Sequence, residues 1–280
     1  MNQNTATRHP APLGIVAGEG QFPLLVAQGA RRLGRPAVGI AFKDHTRPEL
    51  SMLLNEVTWL RIGQLSKMLA FFKKNDVQEV VLAGGINKPR ALDMRPDFRA
   101  AKLLFQLRSK NDNSLLRSVV KLLEDEGFTP VSPLQFVPSL RTPAGILTKR
   151  EPTRQEKADI VFGWPLAKEI GRLDIGQCVV VREQMVVAVE AIEGTNQTIS
   201  RAGNLVGKGT VVIKTFKPGQ EEYVDQPAVG LETIRTMIKS ESPCLAVEAD
   251  KSLFFDRQQA LEIANEARIC IVGYHTGFEF

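Results

Sequence analysis

The sequence of 280 residues has little of what zinc enzymes and nucleophilic hydrolases use, with three histidines and three cysteines. No two histidines have metal-ligand spacing, which leaves a zinc hydrolase, a Ser-His-Asp hydrolase and a His-rich dinuclear metallophosphoesterase poorly supported. Cys178, Cys244 and Cys270 are widely spaced, lie in apolar runs and form no CxxC pair. This pattern indicates buried free thiols in a reducing compartment rather than disulfides or metal ligands.

Long apolar runs are also missing, since none approaches the roughly 20 residues that span a bilayer. The polar start MNQNTATRHPAP has no apolar centre of the kind found in signal peptides. We therefore expect a disordered lead-in at residues 1–12 and a cytoplasmic protein. Only two Trp and two Tyr occur, and no basic stripe is interleaved with aromatic residues, so no nucleic-acid partner is expected.

The composition itself is that of an ordinary globular protein, with 43% hydrophobic residues, 24% charged residues and a net charge of +5. The positive charge suits an anionic partner such as a phosphate ester, a nucleotide or an acidic membrane surface. Scattered surface Lys and Arg would give the same value. The length allows one large domain or two ordinary ones.

The first half alternates short apolar runs with amphipathic stretches, which predicts a parallel sheet covered by helices. We assign residues 13–136 to an N-terminal Rossmann-like parallel α/β domain. The predicted strands are LGIVAG (13–18), PAVGIAF (36–42), EVTWLRIG (56–63), EVVLAGG (79–85) and a segment near 129–137, and helices are predicted in FPLLVAQGARRL, in QLSKMLAFFKKN, around 98–109 and around 113–126.

The second half begins after a change in composition. VPSLRTPAGILTKREPT has three prolines and no helical period, so we predict a linker at 137–152 and a mixed α/β domain with antiparallel elements at 153–280. The predicted elements are a helix at about 153–171, a hairpin turning at 182–184, a helix within EGTNQTISRAGNLVGKG, the strand GTVVIKTF, a helix at about 230–239, a strand pair from CLAVEAD and SLFFD, the helix DRQQALEIANEAR and the last strand ICIVGY.

Two glycine-containing loops follow predicted strands of the first domain. In LGIVAGEGQFP, Gly18 and Gly20 lead into a helix, but Pro23 occupies the position of the third glycine of the dinucleotide fingerprint. A phosphate contact and a plain tight turn remain equally compatible with this loop. In LAGGINKPR, Gly84 and Gly85 end a second strand. If the sheet is parallel, both loops emerge at its carboxyl edge, where such sheets bind ligands.

Polar residues gather at both ends of the predicted hairpin, in GRLDIGQ before it and in VEAIEGT after it. Glycine, acid, amide and hydroxyl groups at both ends predict a ligand rim, although solvated turns would give the same pattern. Asp112, in KNDNSLLR, precedes a predicted helix, where an N-cap is a more common role than a ligand contact.

The segment YVDQPAVG places one acid, Asp225, in a loop with unusual local geometry. Pro227 restricts the residue before it to extended geometry, and Gly230 frees the entry to a helix. An Asp in an ordinary turn is the alternative. Because histidines are few, chemistry would run on carboxylates, Lys, Arg, backbone donors and Mg²⁺, which indicates phosphoryl transfer to water without identifying a substrate.

Several of these segments together resemble a bacterial enzyme family. LGIVAGEGQFP, LAGGINKP, NDNSLLR, IGRLDIGQCVVV, AVEAIEGTN and KPGQEEYVDQPAVG, with the following Thr233-Ile234, occur in the order and at about the spacing of the UDP-2,3-diacylglucosamine pyrophosphatases of lipid A synthesis, in the form that is not a metallophosphoesterase. The resemblance covers essentially the whole chain after the lead-in. GRLDIGQ, VEAIEGT and the DxPxxG loop in combination are its most specific part.

The resemblance implies two α/β domains with the lipid held in a cleft between them, and Mg²⁺-dependent hydrolysis of UDP-2,3-diacylglucosamine to UMP and the acylated sugar 1-phosphate lipid X. It makes Asp225 the catalytic acid and a candidate metal ligand. The substrate-binding residues that we expect are Gly18, Gly20, Gln21, Gly84, Gly85, Asn87, Lys88, Asp112, Thr148, Arg172, Asp174, Gln177, Glu190, Gly194, Thr195, Lys217 and Thr233.

The chain departs from the family pattern at Ala228, where the family has Thr, and at Asn113 and Asn196, where it has acids. If those acids help to bind metal, efficiency and metal stoichiometry are in doubt. The second hypothesis is a non-catalytic binder or sensor of a sugar nucleotide or acylated sugar phosphate. The third is a Rossmann-type oxidoreductase, for which the evidence is weaker because Pro23 replaces the third glycine of the fingerprint. The partners expected from the resemblance are the acylated UDP-sugar, lipid X and the inner-membrane surface, and it is compatible with a homodimer.

Overall fold

The computed structural model describes residues 10–85, 96–106, 112–219, 223 and 226–280, and for residues 104, 106 and 112–114 it describes the backbone alone. The chain divides into two compact units, Met1–Pro138 and Ser139–Phe280.

The first unit is a parallel α/β domain, as the sequence predicts. Its described elements are β1 Leu13–Ala17, α1 Phe22–Arg32, β2 Ala37–Phe42, β3 Glu56–Leu60, α2 Leu65–Lys74, β4 Glu79–Ala83, α3 Phe98–Gln106, α4 Asp112–Asp125 and β5 Thr129–Pro130, with short 3-10 helices at Pro48–Met52 and Pro133–Gln135. All strands are parallel, in the order β3-β2-β1-β4-β5. The order reverses between β1 and β4, so this is a doubly wound sheet with a topological switch point there.

Burial explains why these strands lack an alternating pattern. Every residue of β1 and β2 is buried, because helices cover both faces of the sheet. On one face, Phe72 of α2 packs edge-on against Phe128 with 5.8 Å between ring centroids. The fifth strand is shorter than the predicted segment 129–137. Pro130 lacks an N–H for further pairing, and Ser132 caps a 3-10 helix that begins at Pro133.

The second unit is mixed α/β. Its described elements are β6 Gly145–Ile146, α5 Arg154–Arg172, β7 Cys178–Arg182, β8 Met185–Val189, α6 Thr195–Val206, β9 Val211–Lys214, β10 Ala228–Val229, α7 Leu231–Lys239, β11 Cys244–Glu248, β12 Leu253–Phe254, α8 Arg257–Glu266 and β13 Cys270–Tyr274, with a 3-10 turn at Pro138–Leu140. The main sheet has the order β6-β13-β11-β9-β7-β8. Strands β9, β11 and β13 are parallel, whereas β6 and β7 run antiparallel to their neighbours in this central group.

The predicted hairpin is present as β7 and β8, and a buried acid explains its turn. Glu183 and Gln184 both adopt positive φ, and their backbone N–H groups donate to the carboxylate of Asp159 at 3.2 and 2.7 Å. Asp159 lies on α5, whose N-terminus is closed by a capping box between Thr153 and Glu156.

Two segments pair differently from the sequence prediction. Within 137–152, predicted as a linker, β6 pairs with β13, and Thr142 N donates to Ser252 O at 3.0 Å. Strand β12 does not pair with β11 but with β10, in a separate two-stranded parallel sheet. The predicted pair is wrong because the Ser252 hydroxyl closes a turn onto Glu248 O and Thr142, which directs β12 away from β11.

The described helices include none that combines the length and the apolar character needed to cross a bilayer. All three cysteines are buried and free, as the sequence predicts.

Candidate functional site

The carboxyl edge of the first sheet brings together the two glycine loops that the sequence singles out. Gly18 N donates to Ala83 O at 2.8 Å, and Glu19 N donates to Gly85 O at 2.7 Å. These bonds join the end of β1 to the end of β4, on either side of the switch point. The expectation that both loops share one edge is confirmed.

Glycine is required here by close approach. A Cβ at Gly18 would meet the carbonyl oxygens of Gly84 and Gly85, and Gly84 itself has φ +85°. Side chains would therefore push the two loops apart. At Gly20, which precedes α1, an added Cβ would have nothing within 4 Å, and the reason for glycine is its φ of +82°.

A polar pair at the same edge was missed by sequence reasoning. His45 Nδ1 lies 2.5 Å from Glu19 Oε1, and the side chain of the neighbouring Thr46 donates to Ala17 O and accepts from Phe42 N. The pair joins residues 26 positions apart, and no short motif signals it.

Other predicted residues of the first unit are less informative. Gln21 immediately precedes α1, and Asp112 is the first residue of α4, where its side chain is not among those described. Asn87 and Lys88 lie outside the described residues.

In the second unit, the predicted rim residues meet at the carboxyl edge of β9 and β11. Glu190, which is 7% exposed, accepts hydrogen bonds from Thr195 Oγ1 at 2.8 Å and from Gln177 N at 3.2 Å. Gln177 O accepts from Thr215 N at 2.9 Å. Gly194, at φ +81°, ends the turn before α6. Glu190 therefore ties both ends of the hairpin to the end of β9.

Two basic residues from the prediction lie nearby with acidic partners. Lys217 Nζ is 2.8 Å from Asp174 Oδ1, and Asp174 adopts positive φ just after α5. Arg172, in the last turn of α5, hydrogen-bonds the carboxylate of Glu169, which raises the pKa of the guanidinium and lowers that of Glu169. This last pair is exposed, so it is weakened by solvent and salt.

A lysine that sequence reasoning missed lies on the other face of the same edge. Lys168, on α5, donates to Phe216 O at 3.0 Å and forms an ion pair with Glu248, the last residue of β11. Glu248 also accepts from Phe216 N at 2.8 Å. The backbone that follows β9 is thus held through its N–H and its carbonyl.

Buried polar groups without partners are concentrated at this edge. Three of the five such side-chain atoms in the described part of the chain are Thr215 Oγ1 and the two amide atoms of Gln226, a residue that is 7% exposed. Leaving a buried donor or acceptor unpaired costs about 1–3 kcal/mol, so each such group calls for an explanation. Polar groups awaiting a ligand are one such explanation.

Two further predicted residues of the second unit are described, and Thr148 lies at the amino edge of its sheet. Thr233 is buried in the first turn of α7, which follows β10. Thr148 lies at the opposite, amino edge, where its hydroxyl accepts from Ile271 N at 2.9 Å and donates to Arg150 O. Within the second unit, Thr148 therefore lies at the edge opposite to Gln177 and Glu190. Asp225, the predicted catalytic acid, lies outside the described residues.

A cavity of about 420 Å³ opens away from this constellation, at the amino edge, where Gly209 precedes β9. Its one fully buried carboxylate, Asp159, already accepts the two N–H groups of the hairpin turn and Gln155 Nε2. The size of this cavity does not make it the functional site, because the carboxylate of Asp159 already forms the hydrogen bonds that hold the hairpin turn.

No group of three or more His, Cys, Asp or Glu side chains that could hold a metal occurs among the described residues. At the carboxyl edge of the second sheet, Glu190, Glu248 and Asp174 are each engaged by protein donors. Mg²⁺ is usually bound by one or two carboxylates together with substrate phosphates. The described residues alone do not fit a magnesium site.

Comparison with known proteins covers nearly the whole chain. The model described as "LpxI N-terminal domain" matches residues 12–140, and the one described as "LpxI C-terminal domain" matches residues 143–272. A curated relative from Caulobacter vibrioides, "UDP-2,3-diacylglucosamine pyrophosphatase LpxI", is 31% identical over 272 residues, which cover 93% of this chain and 96% of the relative.

Two of the solved structures that match show weak likenesses. An N5-carboxyaminoimidazole synthetase from Staphylococcus aureus is 15% identical, covering 76% of this chain and 43% of its own, with a TM-score of 0.29. A multifunctional pyruvate carboxylase from Rhizobium etli is 12% identical, covering 43% of this chain and 10% of its own, with a TM-score of 0.28. Scores this low carry no argument. The curated relative and the two domain models do, and by them the chain belongs to the LpxI family.

Proposed function

We propose that this chain hydrolyses the pyrophosphate bond of UDP-2,3-diacylglucosamine to UMP and 2,3-diacylglucosamine 1-phosphate, lipid X, in lipid A biosynthesis. Family membership over both units supports the activity. The structural observation that carries it is the carboxyl edge of β9 and β11, where Thr215 and Gln226 present buried polar atoms that have no protein partner. The non-catalytic alternative has no support from the relatives.

In the proposed mechanism, water attacks one phosphorus of the anhydride in line with the leaving oxygen. By resemblance to the family, Asp225 would orient that water and accept its proton, or would be a ligand of Mg²⁺. The metal would offset the charge that develops on those oxygens. Since the described carboxylates do not form a metal site, Mg²⁺ is part of the proposal and no further step is assigned to it.

The described residues would act by holding the substrate and the loops around it. Lys217 and Arg172 supply positive charge at the carboxyl edge of the second sheet, in keeping with phosphate oxygens as their partners. Glu190 would act through position, because both of its oxygens accept protein hydrogen bonds. In the first unit, the loops that begin at Gly18 and at Gly84 would contact phosphate or sugar.

The test is incubation of the purified protein with UDP-2,3-diacylglucosamine, with Mg²⁺ and with excess EDTA. We expect UMP and lipid X in equal amounts with Mg²⁺ and a large loss of rate in EDTA. Tight substrate binding without UMP release would instead support a binder. Full activity in excess EDTA would remove Mg²⁺ from the proposal while leaving hydrolysis in place.

The acylated substrate also suggests where the protein works, and we propose peripheral contact with the cytoplasmic face of the inner membrane. Phe98 and Phe105 lie seven residues apart on one face of α3, 84% and 92% exposed, with exposed Lys102 between them. Sedimentation with anionic vesicles should fall when both phenylalanines are replaced by serine. Unchanged sedimentation would contradict this contact.

A homodimer is likewise a proposal, which a measurement of molar mass by light scattering tests.

A further inference from the structure

Lys214, the last residue of β9, is a buried lysine. It is 6% exposed, and its Nζ donates to Ala228 O at 2.7 Å. Within the described residues, no Asp or Glu forms an ion pair with it. An ammonium has three N–H donors, and among the described residues one acceptor, Ala228 O, takes one of them.

Such a lysine is unusual on physical grounds. Lysine is almost never fully buried unless it is paired, because an ammonium loses a large hydration energy when it leaves water. The other lysines at this edge follow the rule, since Lys168 pairs with Glu248 and Lys217 pairs with Asp174. Lys214 is the exception, and the sequence gives no hint of it in the run TVVIKTF.

The surroundings of Lys214 favour a bound anion, rather than a carboxylate of the protein, as the partner of its positive charge. Lys214 is opposite Cys178 in the β7–β9 register, so both side chains point to one face of the sheet. Burial and the charge of Glu190 raise the pKa of the Cys178 thiol, and the charge of Lys214 opposes that rise. Among the described residues, Glu190 is the acid whose charge acts on Cys178, and its oxygens accept from Thr195 Oγ1 and Gln177 N.

The segment that Lys214 contacts is fixed and carries a further unused donor. Ala228 and Val229 form β10, which pairs with β12, and Pro227 O accepts from Leu253 N at 2.8 Å. Gln226, just before, has a buried amide Nε2 without a partner. Lys214 thus contacts the chain two residues after Gln226, and an ammonium and an unpaired amide N–H are both donors to phosphate oxygens.

We propose that Lys214 binds a phosphate oxygen of the substrate's diphosphate, with Gln226 Nε2 as a second donor to the same group. This assignment rests on the proposed function for the identity of the substrate, although the anion site itself does not. Lys214 then supplies the positive charge that holds the diphosphate at the carboxyl edge of β9. The competing reading is structural, in which Lys214 serves only to attach β10 to β9.

Two variants separate these readings. Lys214→Gln keeps an N–H donor for Ala228 O and removes the charge, whereas Lys214→Met removes both. Lys239→Met, at the exposed end of α7, removes one charge from the same unit and is the matched control. The probe is inorganic pyrophosphate, with and without Mg²⁺, measured by its effect on the thermal unfolding of each protein.

We expect pyrophosphate to stabilise the wild type and the control equally. Its Kd should rise about tenfold or more in Lys214→Gln, the factor that loss of one charge-assisted hydrogen bond predicts. Ligand-free Lys214→Gln and Lys214→Met should unfold at or above the wild-type temperature, because an unpaired buried charge has been removed. For UMP release, kcat/KM should fall by the same factor or more.

The assignment is overturned if Lys214→Gln binds pyrophosphate as tightly as the wild type, or if pyrophosphate does not stabilise the wild type at all. It is also overturned if ligand-free Lys214→Met is strongly destabilised while Lys214→Gln is normal in stability and binding, because that is the structural pattern. Failure of the proposed function looks different. Wild type that binds pyrophosphate through Lys214 but releases no UMP from the lipid substrate would keep the anion site and remove the hydrolase.

Discussion

At the carboxyl edge of the first sheet, the buried polar side chain of Thr46 is bonded to Ala17 O and Phe42 N. At the carboxyl edge of the second sheet, Thr215 Oγ1 and the amide of Gln226 have no partner among the described residues. The first edge is closed by backbone hydrogen bonds between two glycine loops. The second is built from side chains whose hydrogen-bonding capacity is partly unused.

This difference separates two ways of preparing a binding edge. A backbone edge presents N–H groups and tolerates no side chain at the point of closest approach. A side-chain edge holds charges and amides in a partly dry environment, where electrostatic interactions are stronger and unpaired groups are costly. We therefore expect changes at the second edge to alter catalysis, and changes at the first edge to alter folding of its unit.

The largest effect on catalysis is expected from Asp225→Ala in the second unit. Turnover of UDP-2,3-diacylglucosamine should fall at least about 100-fold, the scale of a positioned catalytic group, with the unfolding temperature little changed. Asp125→Ala, at the end of α4 in the first unit, removes a carboxylate as a control and should leave turnover unchanged. Near-normal UMP release by the Asp225 variant would remove this residue from the mechanism.

Much of each fold follows from local sequence. The short β-branched runs and the amphipathic stretches between them give the parallel sheet of the first unit, and the polar centre at 182–184 gives the hairpin of the second. These features depend on contacts near in sequence or on the two-residue period of strands. Rossmann-like architecture could therefore be predicted without a structure.

What could not be predicted depends on distant segments. The pairing of β10 with β12 joins Ala228 to Leu253, and the Glu19–His45 pair joins two separate loops. Lys214 reads as an ordinary lysine at a strand end, because the carbonyl that it contacts, Ala228 O, belongs to a segment 14 residues away. Thr148 was predicted as a binding residue through family resemblance, yet its hydroxyl serves the amino edge.

The next largest effect is expected from Gly18→Ala, which tests the stability of the carboxyl edge of the first sheet. A Cβ there would meet the carbonyl oxygens of Gly84 and Gly85, which cannot move aside as a flexible side chain can. Overpacking of this kind costs about 2–3 kcal/mol. Each unit contains one tryptophan, Trp59 or Trp164, so fluorescence in a single-tryptophan background reports each unit by itself.

The expected result is a lower urea midpoint from Trp59 and an unchanged midpoint from Trp164. Gly85→Ala is the matched control, since nothing lies within 4 Å of the Cβ that it adds. Equal midpoints for the two alanine variants would show that the loops can separate at no cost, and the contrast between the edges would fail.

A smaller effect is expected from Glu156→Gln in the second unit. Burial raises the pKa of the Glu156 carboxyl, but hydrogen bonds from Arg150 and from Thr153 N outweigh burial and hold the pKa below its ordinary value of 4.5. A depressed folded-state pKa adds stability above pH 4.5, and that stability is lost as pH falls through the lower folded value. The variant should lose about 2 kcal/mol at pH 7.

The measurement is urea unfolding followed by Trp164 between pH 7 and pH 3. The difference between wild type and variant should shrink as the pH falls below about 4.5, because the protonated acid then resembles the amide. A difference that stays constant across this range would mean that the amide loses packing or geometry rather than charge.

The smallest effect is expected from the equivalent helix cap of the first unit, through Asp97→Ala. Asp97 Oδ1 accepts from Ala100 N at 3.0 Å and Oδ2 accepts from Ser66 N at 2.6 Å, so one carboxylate caps α3 and joins it to α2. Although partial burial raises its pKa, these backbone donors hold the pKa below 3.8. Losing the cap should cost about 1 kcal/mol at pH 7, reported by Trp59 and not by Trp164. Since the folded-state pKa is depressed, this difference should persist to lower pH than that of Glu156→Gln and begin to shrink only below about pH 3.8. A loss seen equally by both tryptophans would mean that the two units unfold together, so that neither edge could be weakened alone.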